Sequence, residues 1–303
     1  MSVTAFRGGD QPAVSPAQAK VTTQSLQQKK LRRRPITALT AYDYATARLV
    51  DEAGADIILV GDSLAMVVMG YDSTLPVTME EMLHHTRAVR RAVKRAMVVA
   101  DMPYGSYQVS EDAGVANAVR FLKEAGAEAV KIEGGAQRVE LVRRLSLAEI
   151  PVVAHLGLTP QSVHKMGGYK VQGKSLEAIS RLTAEAQALQ SAGAFAVVLE
   201  GIPREVASRI SAALSIPTIG IGAGAECDGQ ILVLHDLLNL TFAAPAKFVR
   251  RYGDAAELIR NAVRSYCQDV EERRFPSDDE SYHLPKETLA ALVEPEGGLR
   301  RKA

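Results

Sequence analysis

Five titratable residues each close a short apolar run: Asp62 just after IILV, Asp101 after MVVA, Glu133 after AVKI, His155 after VVA and Glu200 after FAVVL. Lys131 lies two positions before Glu133, so in an extended strand both side chains leave on the same side. Successive members are 39, 32, 22 and 45 positions apart, too far for any one helix or turn to gather them. A single acid at such a place ordinarily caps the helix that follows. Five groups in succession are not accounted for in that way. Brought together, the acids would repel one another unless Lys131 or a metal cation offset them. Asp62, Asp101 and Glu133 are hard oxygen donors and suit Mg²⁺ rather than Zn²⁺, because Mg²⁺ takes few carboxylates and leaves positions for water and substrate oxygens. A 2-keto acid would chelate such an ion through its carboxylate and keto oxygens, and the metal would stabilise an enolate as a Lewis acid. A separate base must then remove the proton beside the ketone, and Glu200 is the candidate. His155 reads equally as a ligand to a substrate oxygen or as a satisfied buried histidine.

Other features carry less. The loop Gly220–Gly224 has the form of a phosphate cradle, although glycines also merely permit tight turns. The stretch Lys165–Lys174, KMGGYKVQGK, reads as a lid over the site, with a plain surface loop as the alternative. Asp43 reads as a helix cap.

Positioning these residues requires an alternation of β-branched runs and longer amphipathic stretches. The expected strands are Ile36–Leu39, Ile57–Val60, Met97–Ala100, Ala129–Ile132, Val152–Ala154, Phe195–Leu199, Thr218–Ile221 and Ile231–Leu234. Nearly all are apolar throughout, as in parallel strands buried on both faces. Expected helices include Met79–Lys94, Glu111–Glu124, Gln137–Leu147, Leu176–Ser191 and Arg204–Leu214. Ala-Gly-Ala recurs around Gly54, Gly126 and Gly193, at intervals of 72 and 67 positions, where each helix would end. That is two βα units per interval, and eight strands favour a closed (β/α)8 TIM barrel over an open doubly wound sheet. In such a barrel the carboxyl ends of the strands form the active-site rim. The expected organisation is an N-terminal extension over 1–34, a catalytic barrel over 35–275 and a C-terminal tail over 276–303.

With 36 Lys and Arg against 35 Asp and Glu among 303 residues, the net charge is +1. No global field would hold nucleic acid or an anionic membrane, so the expected partner is a small molecule. The basic run KKLRRR at Lys29–Arg34 therefore reads as part of a solvated helix or arm, not as a nucleic-acid contact. No apolar run approaches the ~18–20 residues that span a bilayer. The two cysteines have no metal or disulfide spacing, and the N-terminus has no apolar signal region; a reducing, cytoplasmic setting is expected.

Several runs resemble ketopantoate hydroxymethyltransferase (3-methyl-2-oxobutanoate hydroxymethyltransferase): TAYDY at Thr40–Tyr44, VGDSLAMVVMGYDSTLPVT at Val60–Thr78, ADMPY at Ala100–Tyr104 and VKIEGG at Val130–Gly135. HLGLTPQSV at His155–Val163, GGYKVQG at Gly167–Gly173, LEGIP at Leu199–Pro203, IGIGAG at Ile219–Gly224 and DGQILVLHD at Asp228–Asp236 continue it in order. The resemblance spans about Pro35 to Pro276. It implies a barrel of the phosphoenolpyruvate mutase/isocitrate lyase superfamily. It also implies transfer of a hydroxymethyl group from 5,10-methylenetetrahydrofolate to 3-methyl-2-oxobutanoate, the first committed step of pantothenate biosynthesis. It further implies Asp62 and Asp101 as Mg²⁺ ligands with Glu133 in the metal's shell. The keto acid would be bound by Asp62, Ser63, Asp101, Lys131 and His155, with Glu200 as proton acceptor. A homo-oligomer, often a decamer built as a pentamer of dimers, is implied as well. One departure is TFAAPAKF at Thr241–Phe248, where the family often has a Gly-Gly-His-like segment. The rival readings are another Mg²⁺-dependent keto-acid lyase or mutase of the same superfamily, and a non-catalytic binding barrel. A lyase would favour a cysteine in the mobile loop, and no cysteine precedes Cys227.

Overall fold

Largely apolar runs become strands buried on both faces: Ile57–Val60, Met97–Asp101, Ala129–Glu133 and Val152–Gly157 are buried along their whole length. The computed structural model describes residues 19–293. In chain order the elements are α1 (Thr23–Leu31), β1 (Ile36–Thr40), α2 (Tyr44–Glu52), β2 (Ile57–Val60), α3 (Leu64–Val67), α4 (Met79–Ala92), β3 (Met97–Asp101), α5 (Glu111–Ala125) and β4 (Ala129–Glu133). They continue as α6 (Val139–Leu147), β5 (Val152–Gly157), α7 (Val163–Met166), α8 (Leu176–Ser191), β6 (Ala196–Glu200), α9 (Arg204–Ala213), β7 (Thr218–Ile221), β8 (Gly229–Leu232) and α10 (Leu234–Leu237). The strands pair in parallel, each with its neighbour in sequence, and β1 with β8 closes the barrel. The expected (β/α)8 architecture is therefore present. Gly54, Gly126 and Gly193 all have positive φ at the ends of α2, α5 and α8, as the Ala-Gly-Ala punctuation requires.

Two apolar layers hold the barrel. One lies between strands and outer helices, with Ile58, Val98, Val130, Phe121 and Leu145 among its fully buried members. The other fills the interior with Ile36, Ile57, Met97, Val153, Val198 and Ile231. Val21 and Leu26 belong to this inner layer, and Leu26 is 1% exposed. The structure thus corrects the reading of this stretch as a solvated helix or arm: α1 closes the amino-terminal end of the barrel. Thr22 and Ser25 form a reciprocal capping box at its start. Lys29 pairs with Asp56 at 2.5 Å and Lys30 with Asp228 at 2.6 Å, while Arg95 reaches Asp56 from the other side at 3.1 Å. Upstream of the helix, Lys20 pairs with Glu128 at 2.7 Å.

The last strand is offset from its expected position. β8 begins at Gly229, where an added Cβ would lie 2.5 Å from the Ile36 carbonyl oxygen, so only glycine lets the two backbones approach this closely. The chain then leaves the sheet: the Leu234 N–H donates to Thr40 Oγ1 and Leu234 opens α10.

The chain divides after Gly253 into two compact units. The second holds α11 (Ala255–Glu271) and α12 (Lys286–Val293). This division falls upstream of the boundary read at 275/276. The apolar period of α11 resembles that of a barrel helix, yet Leu258, Ile259, Val263 and Tyr266 are exposed and only Ala256 is buried. The first 18 residues of the expected N-terminal extension and the last ten of the expected tail lie outside the described residues. Among the described residues no helix is long and apolar enough to cross a membrane. Both cysteines are free.

Candidate active site

Asp62, Ser63, Asp101, Lys131, Glu133, His155 and Glu200 all line one cavity of about 220 Å³ at the carboxyl ends of the strands. The register explains the convergence. Asp101 on β3 pairs with Lys131 on β4, Glu133 with His155 on β5, and Gly157 with Glu200 on β6. Gly157 is a requirement of this arrangement: its φ is +95°, and an added Cβ would stand 2.2 Å from the Glu200 carbonyl oxygen. Asp43 caps α2 by accepting from the Thr46 N–H, as the sequence suggested.

Charge in the cavity is tightly organised. The Lys131 ammonium donates to Asp101 Oδ1 at 2.8 Å and lies 3.4 Å from Glu133 Oε1. His155 stands between two acids, with Nδ1 3.3 Å from Glu133 and Nε2 3.3 Å from Glu200. Burial and Lys131 both disfavour its protonation, but Glu133 and Glu200 outweigh them and raise its pKa to about 9. The even choice between ligand and structural histidine thus becomes a buried, charge-paired ring on the cavity wall. Burial opposes the charge of Lys131 too, yet Asp101, Glu133 and Asp62 hold the ammonium charged. Burial also opposes ionisation of Glu133, but Lys131 and His155 bring its pKa down to about 2. Asp62 and Asp101 differ. Burial raises both, and the Asp101 and Glu133 charges push Asp62 further up. These two acids are under-compensated by the groups around them.

Under-compensation is what a cation would relieve. Among the described residues no three acids, histidines or cysteines are arranged as a ready metal cage. The donor chemistry nevertheless fits a hard ion that takes two carboxylates and completes its shell with water and substrate oxygens. Asp62 and Asp101 adjoin, with the Asp62 N–H 3.3 Å from Asp101 Oδ2. Both oxygens of Glu133 are already engaged, Oε1 by Lys131 and His155 and Oε2 by the Gln161 N–H at 3.0 Å. Glu133 therefore suits contact with such an ion through water.

Three contributors were not singled out from the sequence. Gln161, in the 3-10 turn Pro160–Ser162, donates from Nε2 to Asp62 Oδ2 and to the Met102 carbonyl, each at 2.9 Å. The Tyr107 hydroxyl donates to Gln161 Oε1 at 2.5 Å and accepts from the Glu133 N–H at 3.0 Å. Tyr42 exchanges a hydrogen bond with Ser63 at 2.9 Å, which fixes the Ser63 hydroxyl. Gln161 lies within the run HLGLTPQSV, but a neutral amide in a loop carries no periodicity or charge signal. Tyr169, from the expected lid, lines the same cavity. The glycines at 222 and 224 are accounted for by packing, since an added Cβ would meet the Phe248 ring at 2.5 Å or Arg204 Cβ at 2.4 Å. That favours the tight-turn reading of the Gly220–Gly224 loop.

A family model described as ketopantoate hydroxymethyltransferase matches residues 20–278. A 3-methyl-2-oxobutanoate hydroxymethyltransferase of Koribacter versatilis (strain Ellin345) is 66% identical over 274 residues, 90% of this chain and 93% of the relative. One of Geobacter sulfurreducens is 56% identical, covering 86% of this chain and 98% of the relative. Solved structures with the same fold include a phosphonopyruvate hydrolase complexed with oxalate and Mg²⁺, with TM-score 0.55, 16% identity, and coverage of 90% of this chain and 95% of that one. A 2,3-dimethylmalate lyase, described as a PEP mutase/isocitrate lyase superfamily member, aligns at TM-score 0.50 and 17% identity, covering 90% of this chain and 92% of that one.

Proposed function

The chain belongs to the ketopantoate hydroxymethyltransferase family, and from that premise we propose that it transfers a hydroxymethyl group from 5,10-methylenetetrahydrofolate to 3-methyl-2-oxobutanoate, giving 2-dehydropantoate for pantothenate biosynthesis. The enzyme class, a hydroxymethyltransferase, follows from the family. The observation that carries the finer reading is the cavity itself: two under-compensated aspartates and Glu133 beside a charged lysine, with a fourth acid, Glu200, on β6.

Asp62 and Asp101 would hold Mg²⁺, with Glu133 in its shell through water. When bound, the metal supplies Lewis-acid polarisation of the keto oxygen, which acidifies the hydrogen on C3. Lys131 and Ser63 bind the keto acid's oxygens, and His155 stands at the cavity wall beside them. Glu200 accepts the C3 proton. Water hydrolyses the two C–N bonds of the folate's methylene bridge, giving tetrahydrofolate, whose two nitrogens take the water's protons, and a one-carbon unit at the formaldehyde level. The C3 carbanion adds to that carbon, and the resulting alkoxide takes up the proton that Glu200 accepted. Glu200 is positioned by the backbone of β6 and by His155 at 3.3 Å. We further propose a cytoplasmic homo-oligomer, a decamer, on the strength of the family.

The test is direct. Purified protein given 3-methyl-2-oxobutanoate, formaldehyde and tetrahydrofolate should form ketopantoate, lose that activity in chelator and recover it with Mg²⁺. Product formation at full rate in chelator removes the metal from the reading. No product with folate present removes the substrate assignment.

A further inference from the structure

We infer that Gln161 is a positioning residue for the cation site, selecting which carboxylate oxygens face the cavity. The inference rests on the reading of Asp62 and Asp101 as holders of a divalent cation. Gln161 is 5% exposed, and its backbone N–H and both polar atoms of its side-chain amide have hydrogen-bond partners. Its Nε2 donates to Asp62 Oδ2 and its backbone N–H to Glu133 Oε2, which commits one oxygen of Asp62 and the second oxygen of Glu133 to the protein. Asp62 Oδ1 is left for a ligand. The amide is itself held from behind, its Oε1 accepting from Tyr107 at 2.5 Å and from Gln108 Nε2 at 3.1 Å.

The residue type matters. A lysine here would neutralise Asp62 and compete with a cation, and a glutamate would add a fourth charge to three crowded acids. A neutral amide orients the carboxylate and leaves its charge intact. Hydrogen-bond partners of metal-ligating carboxylates act in this way, and their loss typically weakens metal affinity about ten- to a hundredfold. Gln161 also stands at the root of the segment that carries Tyr169 over the cavity, so the same amide ties that segment's base to the acid cluster. The alternative is a plain strut, in which these hydrogen bonds only stabilise the turn.

The experiment is Mn²⁺ binding to the metal-free, full-length enzyme, followed by the electron paramagnetic resonance signal of free Mn²⁺. Gln161→Met keeps the side-chain length and removes the amide. The expected result is Mn²⁺ affinity about ten- to a hundredfold below wild type. Turnover of Gln161→Met at saturating Mg²⁺ should return to within a few-fold of wild type, so that the defect lies in metal concentration and not in kcat. Tyr107→Phe removes only the hydroxyl that clamps Gln161, and should shift the affinity in the same direction by less. Wild-type affinity in Gln161→Met overturns the proposal, whatever happens to Tm. If that variant does not fold, wild-type affinity in Tyr107→Phe overturns it. Wild-type enzyme that takes up no Mn²⁺ overturns the cation reading and this proposal with it. That failure is distinct because it appears before any residue is changed.

Discussion

Both ends of the barrel bury acids, and they treat them in opposite ways. At the amino-terminal end, burial raises the pKa of Asp56, but Lys29, the Thr37 N–H and Arg95 more than offset it and hold the carboxyl below the usual range. Asp51 is also held down, against burial, by the N–H groups of Ala96, Lys94 and Arg95. At the carboxyl-terminal end, Asp62 and Asp101 stay above the usual range although Lys131 is close by. One end satisfies its charges and is closed by Leu26. The other leaves charge unsatisfied around an open cavity. The lesson is that burial of an acid says little by itself; whether the fold completes its partners separates a structural acid from one poised for a ligand.

Four measurements sharpen or break this contrast. The largest effect is expected from Glu200→Gln, which keeps shape but cannot accept the C3 proton. Turnover and C3 hydrogen exchange in deuterated water should fall together by about 10²–10⁴-fold, roughly 3–5 kcal/mol of barrier, with Tm unchanged. Exchange at the wild-type rate would show that another group is the base. Next comes a crossed pair. Asp56→Asn should destabilise the fold by about 2–3 kcal/mol, by leaving Lys29 and Arg95 without their shared partner, and should spare kcat. Asp62→Asn should do the reverse, abolishing most activity while leaving Tm unchanged or higher, because it relieves repulsion. Equal destabilisation by both would erase the distinction between the two ends.

Leu26→Ala follows, at about 2–3 kcal/mol, the low end for a buried leucine. Denaturant unfolding should report it, with KM for the keto acid unmoved; a changed KM would mean that α1 acts on the mouth. The smallest effect is a pH dependence. The folded-state pKa of His155 is raised, so its stabilising contribution is complete below its ordinary value of 6.5 and is lost as pH rises through about 9. Glu133 has the opposite sign: its contribution is present above 4.5 and is lost as pH falls through about 2. A Tm profile should therefore fall on the alkaline side by a few degrees, and His155→Gln should flatten that limb. An unchanged alkaline slope would mean that His155 is neutral in the fold.

Much of the barrel was legible because a strand buried on both faces is mostly apolar: β2 is apolar throughout, and β3 is apolar up to Asp101. β8 was displaced by two residues because it opens with Gly229 and the exposed Gln230, which carry no apolar signal. α1 was hidden for a similar reason: Leu26 is its one buried residue in TQSLQQKKL, and its lysines looked like a solvated face. α11 falls within the 35–275 range read as barrel, yet its large apolar side chains are exposed. At the mouth, charged residues at strand ends were visible one by one. The amide that orients two of them was not, because Gln161 acts only through what it is placed beside.

The pairing that closes the ring has a consequence for how the chain folds and where it loosens. Ile36 and Gly229 meet across 193 positions, whereas Val153 and Ala196, the next most distant strand partners, are 43 apart. Loop-closure entropy grows with that separation, so the β1–β8 seam bears the largest ordering cost of any strand pair and is expected to form late. Lys29 and Lys30, adjacent on α1, grip Asp56 before β2 and Asp228 before β8, which flank β1 on either side. The helix acts as a clasp over the one joint that local contacts cannot make. Amide hydrogens of β1 and β8 should therefore exchange faster when the clasp is cut by Lys30→Ala, while those of β4 and β5 keep their protection.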